Sequence, residues 1–243
     1  MESTLLNGPD FMQILSDKTG FLFRGMFSEK FPNEIPNLEW SKTDFLLKLP
    51  MQGVILDVGC GNNSPFYTKG FLPAWHYIGI DVADYNQERP DYADEYIITS
   101  GELFASEILK QQGKVDAVVS SHNLEHCDNR RNTVRFMAQA LRKGGKIFIS
   151  FPSADTVNFP GRGGCLNYFD DHTHQGSPPD FGEVISILAQ EGIRIVYAAT
   201  RYQPPMGWLM GLQDEPESAE AREVRLGTWW YWGFETVIWG ERL

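Results

Sequence analysis

The segment Ser121-His122-Asn123-Leu124-Glu125-His126 holds two imidazoles and a carboxylate close together. If the segment is helical, the spacing i, i+3, i+4 places His122, Glu125 and His126 on one face. Three such side chains can bind a divalent metal ion. Histidine also exchanges protons near neutral pH, since its reference pKa is about 6.5. The segment predicts a metal site or a proton-transfer site, and capping of the following helix is the structural alternative.

A second group of residues predicts a nucleoside site. Gly59 and Gly61 follow an apolar run, so the missing side chains let the backbone approach a ligand. Asp81 closes the next apolar run, and a carboxylate there can accept hydrogen bonds from both hydroxyls of a ribose. Ser64 replaces the third glycine of a dinucleotide fingerprint, which disfavours NAD. A nicotinamide-dependent oxidoreductase remains the alternative.

A parallel sheet is needed to bring these two groups of residues together. Short apolar runs ended by turn residues predict buried strands, at Gly53–Asp57, His76–Asp81, Tyr96–Thr99, Val115–Ser121, Lys146–Phe151 and Ile193–Ala199. Helical periodicity predicts helices at Asp128–Arg142, ended by Gly144-Gly145, and at Asp180–Gln190. This alternation predicts a sheet with helices on both faces.

The first apolar run and its glycine turn, Val54 to Gly61, resemble the first motif of the class I S-adenosylmethionine-dependent methyltransferases. Tyr77–Asp81 resembles their second motif, Val115–His122 the fourth and Leu141–Ile149 the sixth. The resemblance implies an α/β, Rossmann-like fold with a seven-stranded sheet that is mostly parallel and contains one antiparallel strand. It also implies S-adenosylmethionine as the cofactor.

The same resemblance assigns residues to the cofactor site, with ordinary packing at strand ends as the alternative for the more weakly matched ones. It places Gly59 and Gly61 against the methionine and ribose portions, and it has Asp57 orient the site. Asp81 is the ribose ligand. Near the adenine and the methionine end it implies contacts from Val82, Ser100, Gly101 and Ser121.

The histidine segment is similar to the Glu-x-x-Glu-His segment of ubiquinone-biosynthesis and small-RNA O-methyltransferases, in which the acid and histidine bind a divalent ion. His122 replaces the first glutamate here, which argues against magnesium. Those relatives supply another histidine from the loop after the fifth strand, where His174 matches best and His172 second. We predict that His126, assisted by His174, activates the acceptor, directly or through a divalent ion, and a metal-free site is favoured.

The length of 243 residues suits one domain with additions. We expect an N-terminal helical extension over residues 1–50 and a methyltransferase domain over residues 51–243. Two long segments rich in Pro, Gly and aromatic residues, 152–179 and 201–232, are predicted to cover the ligand site like lids. An Ω-loop or an oligomer contact is the alternative for both.

The net charge of −11 and the lack of a long basic patch disfavour nucleic acid as a partner. The sequence contains no secretory signal and no apolar run of about 18 residues, so we expect a cytoplasmic protein without a membrane partner. The predicted function is methyl transfer from S-adenosylmethionine to a small-molecule acceptor, on oxygen rather than nitrogen. A non-catalytic protein that binds S-adenosylmethionine is a further alternative.

Overall fold

The computed structural model describes residues 38–61, 64–84 and 92–243 of the chain. The strands are β1 (Val54–Val58), β2 (His76–Asp81), β3 (Glu95–Ile98), β4 (Val115–Ser121), β5 (Leu141–Pro152), β6 (Ile193–Ala199) and β7 (Glu235–Arg242). The α-helices are α1 (Lys42–Leu47), α2 (Ser64–Phe71), α3 (Gly101–Leu109), α4 (Arg130–Ala140), α5 (Phe181–Gln190), α6 (Pro205–Ala221) and α7 (Leu226–Trp232). Short 3-10 helices occupy Leu124–His126, Ala154–Asn158 and Tyr168–Asp170.

All seven strands form one sheet in the order β3-β2-β1-β4-β5-β7-β6. The first five strands pair in parallel, whereas β7 runs antiparallel to both of its neighbours, β5 and β6. The predicted Rossmann-like fold, with helices on both faces and one antiparallel strand, is confirmed. Because the chain order reverses between β1 and β4, a crevice opens at the carboxyl ends of these strands.

The alternation of side chains along each strand builds two apolar cores, one on each face of the sheet. In β1, Leu56 and Val58 join the core under α3, α4 and α5, whereas Ile55 points to the opposite core. That second core contains Phe45 of α1 and Trp75, both almost fully buried. Burial on both faces explains why the central strands are apolar without interruption.

The helix predicted over Asp128–Arg142 is shorter in the structure, where α4 ends at Ala140. Leu141 has extended backbone angles, φ −66° and ψ 138°, and it begins β5. Gly144 therefore lies within β5, where its φ of +76° accompanies a shift in the pairing with β4. The C-terminal end of α4 is thus set by the backbone pairing of Leu141 with β4, and the pair Gly144-Gly145 does not set it.

The three segments predicted as additions to the domain, 1–50, 152–179 and 201–232, differ in their structure. Within residues 1–50, the part before residue 38 lies outside the described residues, and α1 is the helix found in the rest. The segment 152–179 contains two of the 3-10 helices, and the segment 201–232 forms the helix pair α6 and α7. The division into extension and lids stays a prediction. Among the described residues, no helix combines the length and apolarity needed to cross a membrane.

Candidate active site

A cavity of about 460 Å³ opens at the carboxyl ends of β1, β2 and β4. Predicted site residues line much of it, and they are Gly59, Gly61, Asp81, Val82, Gly101 and His126. His122, Asn123, Phe104, Ala105, Cys127, Asp128, Asn129, Thr133 and Thr173 complete the lining. The fold therefore brings the glycine turn and the histidine segment to one site.

The turn after β1 follows a path that only glycine can adopt at its first position. Gly59 has a φ of +72°, and its N–H donates to the carbonyl of Ile80 at 2.9 Å. A Cβ at this position would collide with the side chain of Asn123. Gly61 has a φ of +52°, and among the described residues, its chain neighbours aside, no atom lies within 4 Å of the position that its Cβ would take. Gly61 thus lines the cavity without a side chain that would fill it.

Asp81 is held at the end of β2 by three backbone donors, the N–H groups of Gly61, Val82 and Ala83. Its Oδ2 accepts from the N–H of Gly61 at 2.6 Å, and its Oδ1 accepts from the N–H of Val82 at 2.7 Å. Burial raises the pKa of Asp81, and these N–H groups only partly oppose the increase. A carboxylate has about four acceptor sites, so these three N–H groups leave room for a hydroxyl donor. The glycine turn and this acid together fit the sugar of a nucleoside.

Three residues predicted to bind the cofactor lie outside the cavity lining. Asp57 is buried beneath the turn, where its Oδ2 accepts from Ser64 Oγ at 2.5 Å and from Tyr77 OH at 2.9 Å. Ser121 Oγ shares a hydrogen bond of 3.0 Å with Ser150 Oγ. Ser100 is the N-cap residue of α3, next to Gly101. Asp57 thus supports the turn from below, and its role in orienting the cofactor site stays a prediction.

The histidine segment does not form the expected helical face. Only Leu124–His126 is helical, as a single 3-10 turn, and His122 precedes it with a φ of +50°. Both ring nitrogens of His122 face carboxylates, with Nδ1 at 3.2 Å from Glu125 Oε1 and Nε2 at 2.6 Å from Glu235 Oε1. The prediction of His122 as a metal ligand is therefore wrong for this arrangement, since neither nitrogen is available.

His122 is instead held as an imidazolium ion. Desolvation lowers its pKa, but the hydrogen bonds and charges of Glu125 and Glu235 outweigh that effect and raise the pKa to about 10. The ring also stacks on Phe234, with centroids 5.8 Å apart. His122 thereby joins the end of β4 to the start of β7.

His126 and His174 meet at the mouth of the cavity, with ring centroids 4.9 Å apart. The loop that carries His174 is attached to the histidine segment by the N–H of Gln175, which donates to the carbonyl of Glu125 at 2.7 Å. His174 Nδ1 lies 2.6 Å from the carbonyl of Tyr168, so this nitrogen carries a proton, and Nε2 lies 3.8 Å from Asp171 Oδ2. The predicted pairing of His126 with His174 is present, and His172 is not part of it.

Two residues that sequence reasoning missed orient His126. Thr173 Oγ donates to Asp171 Oδ1 at 2.6 Å, so its remaining lone pairs face His126 Nδ1 at 3.0 Å. Because the Thr173 hydroxyl oxygen accepts the hydrogen bond from His126, the proton of the neutral His126 ring must lie on Nδ1. Nε2 is then the nitrogen that can act as a base. Desolvation raises the pKa of Asp171, but bonds from the hydroxyl and N–H of Thr173 outweigh it and keep the pKa below its usual value. The signal in the sequence was Asp171-His172-Thr173, an ordinary Asx turn.

Glu125, His126 and His174 could also hold a metal ion, because one ligand atom from each lies within 4.8 Å of the others. Glu125 is 1% exposed, and its buried Oε2 has no hydrogen-bond partner among the described residues. An unpaired buried carboxylate oxygen is costly, so a cation or a donor hydroxyl would stabilise it. Two imidazoles and one carboxylate suit zinc or ferrous iron better than magnesium. The residues present thus fit an ion with three protein ligands.

Residues 37–239 match a family described as "Methyltransferase domain". A curated uncharacterized protein of Methanocaldococcus jannaschii is 32% identical over 111 residues, which are 43% of this chain and 30% of that protein. The mitochondrial ubiquinone biosynthesis O-methyltransferase of Dictyostelium discoideum is 26% identical over 120 residues, 43% of this chain and 37% of that protein. The matched part thus spans about a third of the length of these relatives.

Solved structures share the fold at low identity. An S-adenosylmethionine-dependent methyltransferase from Mesorhizobium loti has a TM-score of 0.56 and 17% identity, covering 83% of this chain and 97% of its own. The 1,6-didemethyltoxoflavin-N1-methyltransferase of Burkholderia thailandensis, solved with 1,6-didemethyltoxoflavin and S-adenosylhomocysteine, has a TM-score of 0.52 and 13% identity. That match covers 100% of this chain and 93% of the other.

Proposed function

Since the chain belongs to the methyltransferase domain family and is an S-adenosylmethionine-dependent methyltransferase, we propose that it methylates a hydroxyl group of a small molecule. The observation that carries the proposal is the base at the cavity mouth. His126 lines the same cavity as Gly59, Gly61 and Asp81, and its Nδ1 is committed to Thr173. The family match removes the nicotinamide-dependent oxidoreductase from consideration.

The cofactor would lie along the glycine turn, with its ribose hydroxyls on Asp81 and its base toward Val82 and Gly101. When bound, it supplies a methyl group on a positively charged sulfur. The protein then needs to hold the acceptor in line with that group and exclude water. The 3-10 turn and the loop around Thr173 would hold the acceptor and exclude water.

An alcohol acceptor must lose a proton as the new bond forms, and His126 is placed to take it. Its Nδ1 proton points to Thr173, so Nε2 is the atom that would accept the acceptor proton. Asp171 stabilises the hydroxyl of Thr173 from the opposite side. His174 lies against His126 and would orient the same hydroxyl through its Nε2.

A metal-assisted form of the reaction is the second candidate, and the buried Oε2 of Glu125 favours it. An ion held by Glu125, His126 and His174 would lower the pKa of a bound acceptor hydroxyl. The contact between His126 Nδ1 and Thr173 leaves Nε2 free in both forms, and we keep the direct form as the first candidate. Elemental analysis of the purified protein, together with activity after exhaustive chelation, separates the two forms. Activity that disappears on chelation and returns with zinc or ferrous iron would refute the direct form.

The small-molecule assignment is supported by the net charge of −11, which opposes binding of a polyanion. The Burkholderia thailandensis neighbour, solved with a small acceptor, is consistent with it. Oxygen rather than nitrogen follows from the base at His126 and from the resemblance to the ubiquinone biosynthesis enzyme. We also propose that the protein acts in the cytoplasm, without nucleic acid or membrane as a partner.

The test is incubation of the chain with methyl-labelled S-adenosylmethionine and a fractionated cell extract, followed by mass spectrometry of the labelled product. We expect label on the oxygen of a small molecule, and no such label with His126→Ala protein. Label mainly in RNA would refute the small-molecule assignment. A chain that binds S-adenosylhomocysteine but labels nothing in any fraction would support the non-catalytic alternative.

A further inference from the structure

The loop of residues 171–177 carries Thr173 and His174, yet packing alone does not hold it in place. Only Asp171 and His174 are partly buried, and the other residues of the loop are exposed. An exposed loop buries too little apolar surface to fix its own geometry. Hydrogen bonds to neighbouring elements therefore set the distance between Thr173 and His126.

Arg130, the first residue of α4, supplies several of these hydrogen bonds. Its Nη1 donates to the carbonyl of Ser177 at 2.6 Å, and its Nη2 donates to the carbonyl of Gln175. Nη2 also lies 3.2 Å from the carbonyl of Glu125, which belongs to the 3-10 turn, and 3.3 Å from Tyr168 OH. One guanidinium thus joins the loop to the turn that carries the predicted base.

Tyr168 extends the same network beneath the loop. Its hydroxyl donates to the carbonyl of Ser177 at 3.1 Å, and its ring packs on the ring of His174 with centroids 4.4 Å apart. Because Tyr168 is fully buried, close packing fixes the position of its ring. Arg130 therefore contacts both the loop and the residue that supports it from below.

The guanidinium of Arg130 acts as a set of donors, and within the part of the chain that the structure describes it has no ion-pair partner. Its partners are three carbonyl oxygens and a hydroxyl. A planar guanidinium presents five N–H donors in a fixed fork, whereas lysine presents three donors from a single nitrogen. Arg130→Lys therefore keeps the charge and removes the geometry that joins these oxygens.

We propose that Arg130 is a positioning residue, which holds the loop so that Thr173 keeps the proton of His126 on Nδ1 and Nε2 stays open to the acceptor. His126 Nδ1 lies 3.0 Å from Thr173 Oγ and 3.4 Å from the Thr173 carbonyl, and both contacts depend on where the loop lies. Arg130 is not part of the cavity lining, so it acts through His126 and not on the cofactor. This inference rests on His126 as the base of the proposed function.

A contribution of Arg130 to stability alone is the competing explanation. Arg131 provides the matched control, because it is the next residue of the same helix and its exposed guanidinium pairs with Glu183 on α5. Arg131→Lys makes the same chemical change one residue away, and it should leave His126 unaffected.

The experiment is nuclear magnetic resonance of the His126 ring nitrogens in chelator-treated, 15N-labelled protein at about pH 8.5, where an ordinary histidine is neutral. The chain contains five histidines, and His126→Ala identifies the signals of His126. Long-range correlations between protons and 15N show which ring nitrogen carries the proton. We expect it on Nδ1 in the wild type and in Arg131→Lys. In Arg130→Lys the proton should move to Nε2, the tautomer that free histidine prefers in water.

Tyr168→Phe is a second variant, which keeps the buried ring and removes one contact of the Arg130 network. Its tautomer ratio should shift in the same direction by a smaller amount. Turnover is measured with methyl-labelled S-adenosylmethionine and the extract fraction that holds the labelled acceptor. We expect Arg130→Lys to lower kcat by about tenfold or more, the effect of a misplaced catalytic group, with unchanged affinity for S-adenosylhomocysteine.

A wild-type tautomer in folded Arg130→Lys would overturn the inference, whatever the thermal midpoint of the variant, because it would assign Arg130 to stability alone. If Arg130→Lys does not fold, an unchanged tautomer in Tyr168→Phe overturns it instead. The same tautomer change in Arg131→Lys would also overturn it, since any loss of arginine on α4 would then suffice.

The tautomer measurement needs no acceptor, so its result is separate from that of the proposed function. Full turnover in His126→Ala would refute His126 as the base. A change of tautomer in Arg130→Lys would then still show that Arg130 positions the loop against His126.

Discussion

His122 and Glu235 are 113 residues apart in the chain, yet His122 Nε2 lies 2.6 Å from Glu235 Oε1. The other ring nitrogen of His122 lies 3.2 Å from Glu125 Oε1, and the second carboxylate oxygen of Glu125 is buried without a hydrogen-bond partner among the described residues. Glu235 therefore fixes His122, and His122 fixes Glu125. A residue at the start of β7 thus helps to set the geometry of the cavity mouth.

Glu235→Gln should flatten the dependence of stability on alkaline pH. The folded pKa of His122, about 10, exceeds its ordinary value of 6.5, so its contribution is full below pH 6.5 and is lost as the pH rises toward 10. The amide keeps the shape but removes one of the two charges that hold the proton. Thermal midpoints measured from pH 6 to 10 should fall by a few degrees less in the variant than in the wild type.

Glu241→Gln is the control for that experiment. Glu241 lies on the same strand and forms an exposed ion pair with Arg194. Because exposed pairs contribute little, its profile should follow the wild type. Identical profiles for Glu235→Gln and the wild type would contradict the imidazolium assignment of His122.

Gly59→Ala and Gly61→Ala should differ although both glycines have positive φ. Alanine at either position adds left-handed strain of about 1–2 kcal/mol. At position 59 the new Cβ also collides with Asn123, whereas at position 61 it meets no atom of the described residues, its chain neighbours aside, within 4 Å. Thermal unfolding without ligand should therefore show a midpoint several degrees lower in Gly59→Ala than in Gly61→Ala. Equal midpoints would mean that Asn123 moves aside without a loss of stability.

Asp81→Ala should weaken S-adenosylhomocysteine by about 1.5–3 kcal/mol, the range for hydrogen bonds to a charged group. It should also loosen the glycine turn, because Asp81 accepts the N–H of Gly61 at 2.6 Å. Asp81→Asn retains an acceptor oxygen and should recover part of the affinity. Calorimetry with adenosine alone shows which part of the ligand Asp81 contacts. A loss of affinity of the same size for adenosine assigns the contact to the nucleoside portion. Unchanged affinity for adenosine would mean that Asp81 does not contact the nucleoside.

His126→Ala should lower turnover by about 10²-fold or more, as expected for loss of a general base, while the affinity for S-adenosylhomocysteine stays nearly unchanged. His174→Ala should cause a smaller loss. Full turnover with the true acceptor in both variants would contradict acid–base catalysis at this site and leave proximity as the source of the rate.

Thr173→Val should reduce turnover by up to about tenfold, because it removes the hydroxyl that keeps the proton on His126 Nδ1. Thr173→Ser retains the hydroxyl and should restore most of the rate. A role of Thr173 in packing alone would predict the reverse order, since valine preserves the shape of threonine better than serine does. Steady-state kinetics of the two variants decides between these outcomes.

The sequence could predict the fold because the signals for its central elements are local. The apolar runs at β2 and β4 match the observed bounds, since strands buried on both faces leave a continuous apolar pattern. The bounds of β6 also match, although β6 is an edge strand in which Ile193 alone is buried. The end of α4 was wrong because pairing of Leu141 with Val115 on β4, which lies far away in sequence, outweighed the glycine signal. Strand pairing of this kind has no local pattern.

For the site, the sequence by itself indicated the glycine turn, Asp81 and the approach of His126 to the loop of His174. Each of these features directly follows a strand, and the fold brings the carboxyl ends of these strands to one edge of the sheet. Only the tertiary structure decided the state of His122, since its two carboxylate partners come from a 3-10 turn and from β7. Ionisation and ligand recognition depend on neighbours in space, and residue spacing along the chain does not specify these neighbours.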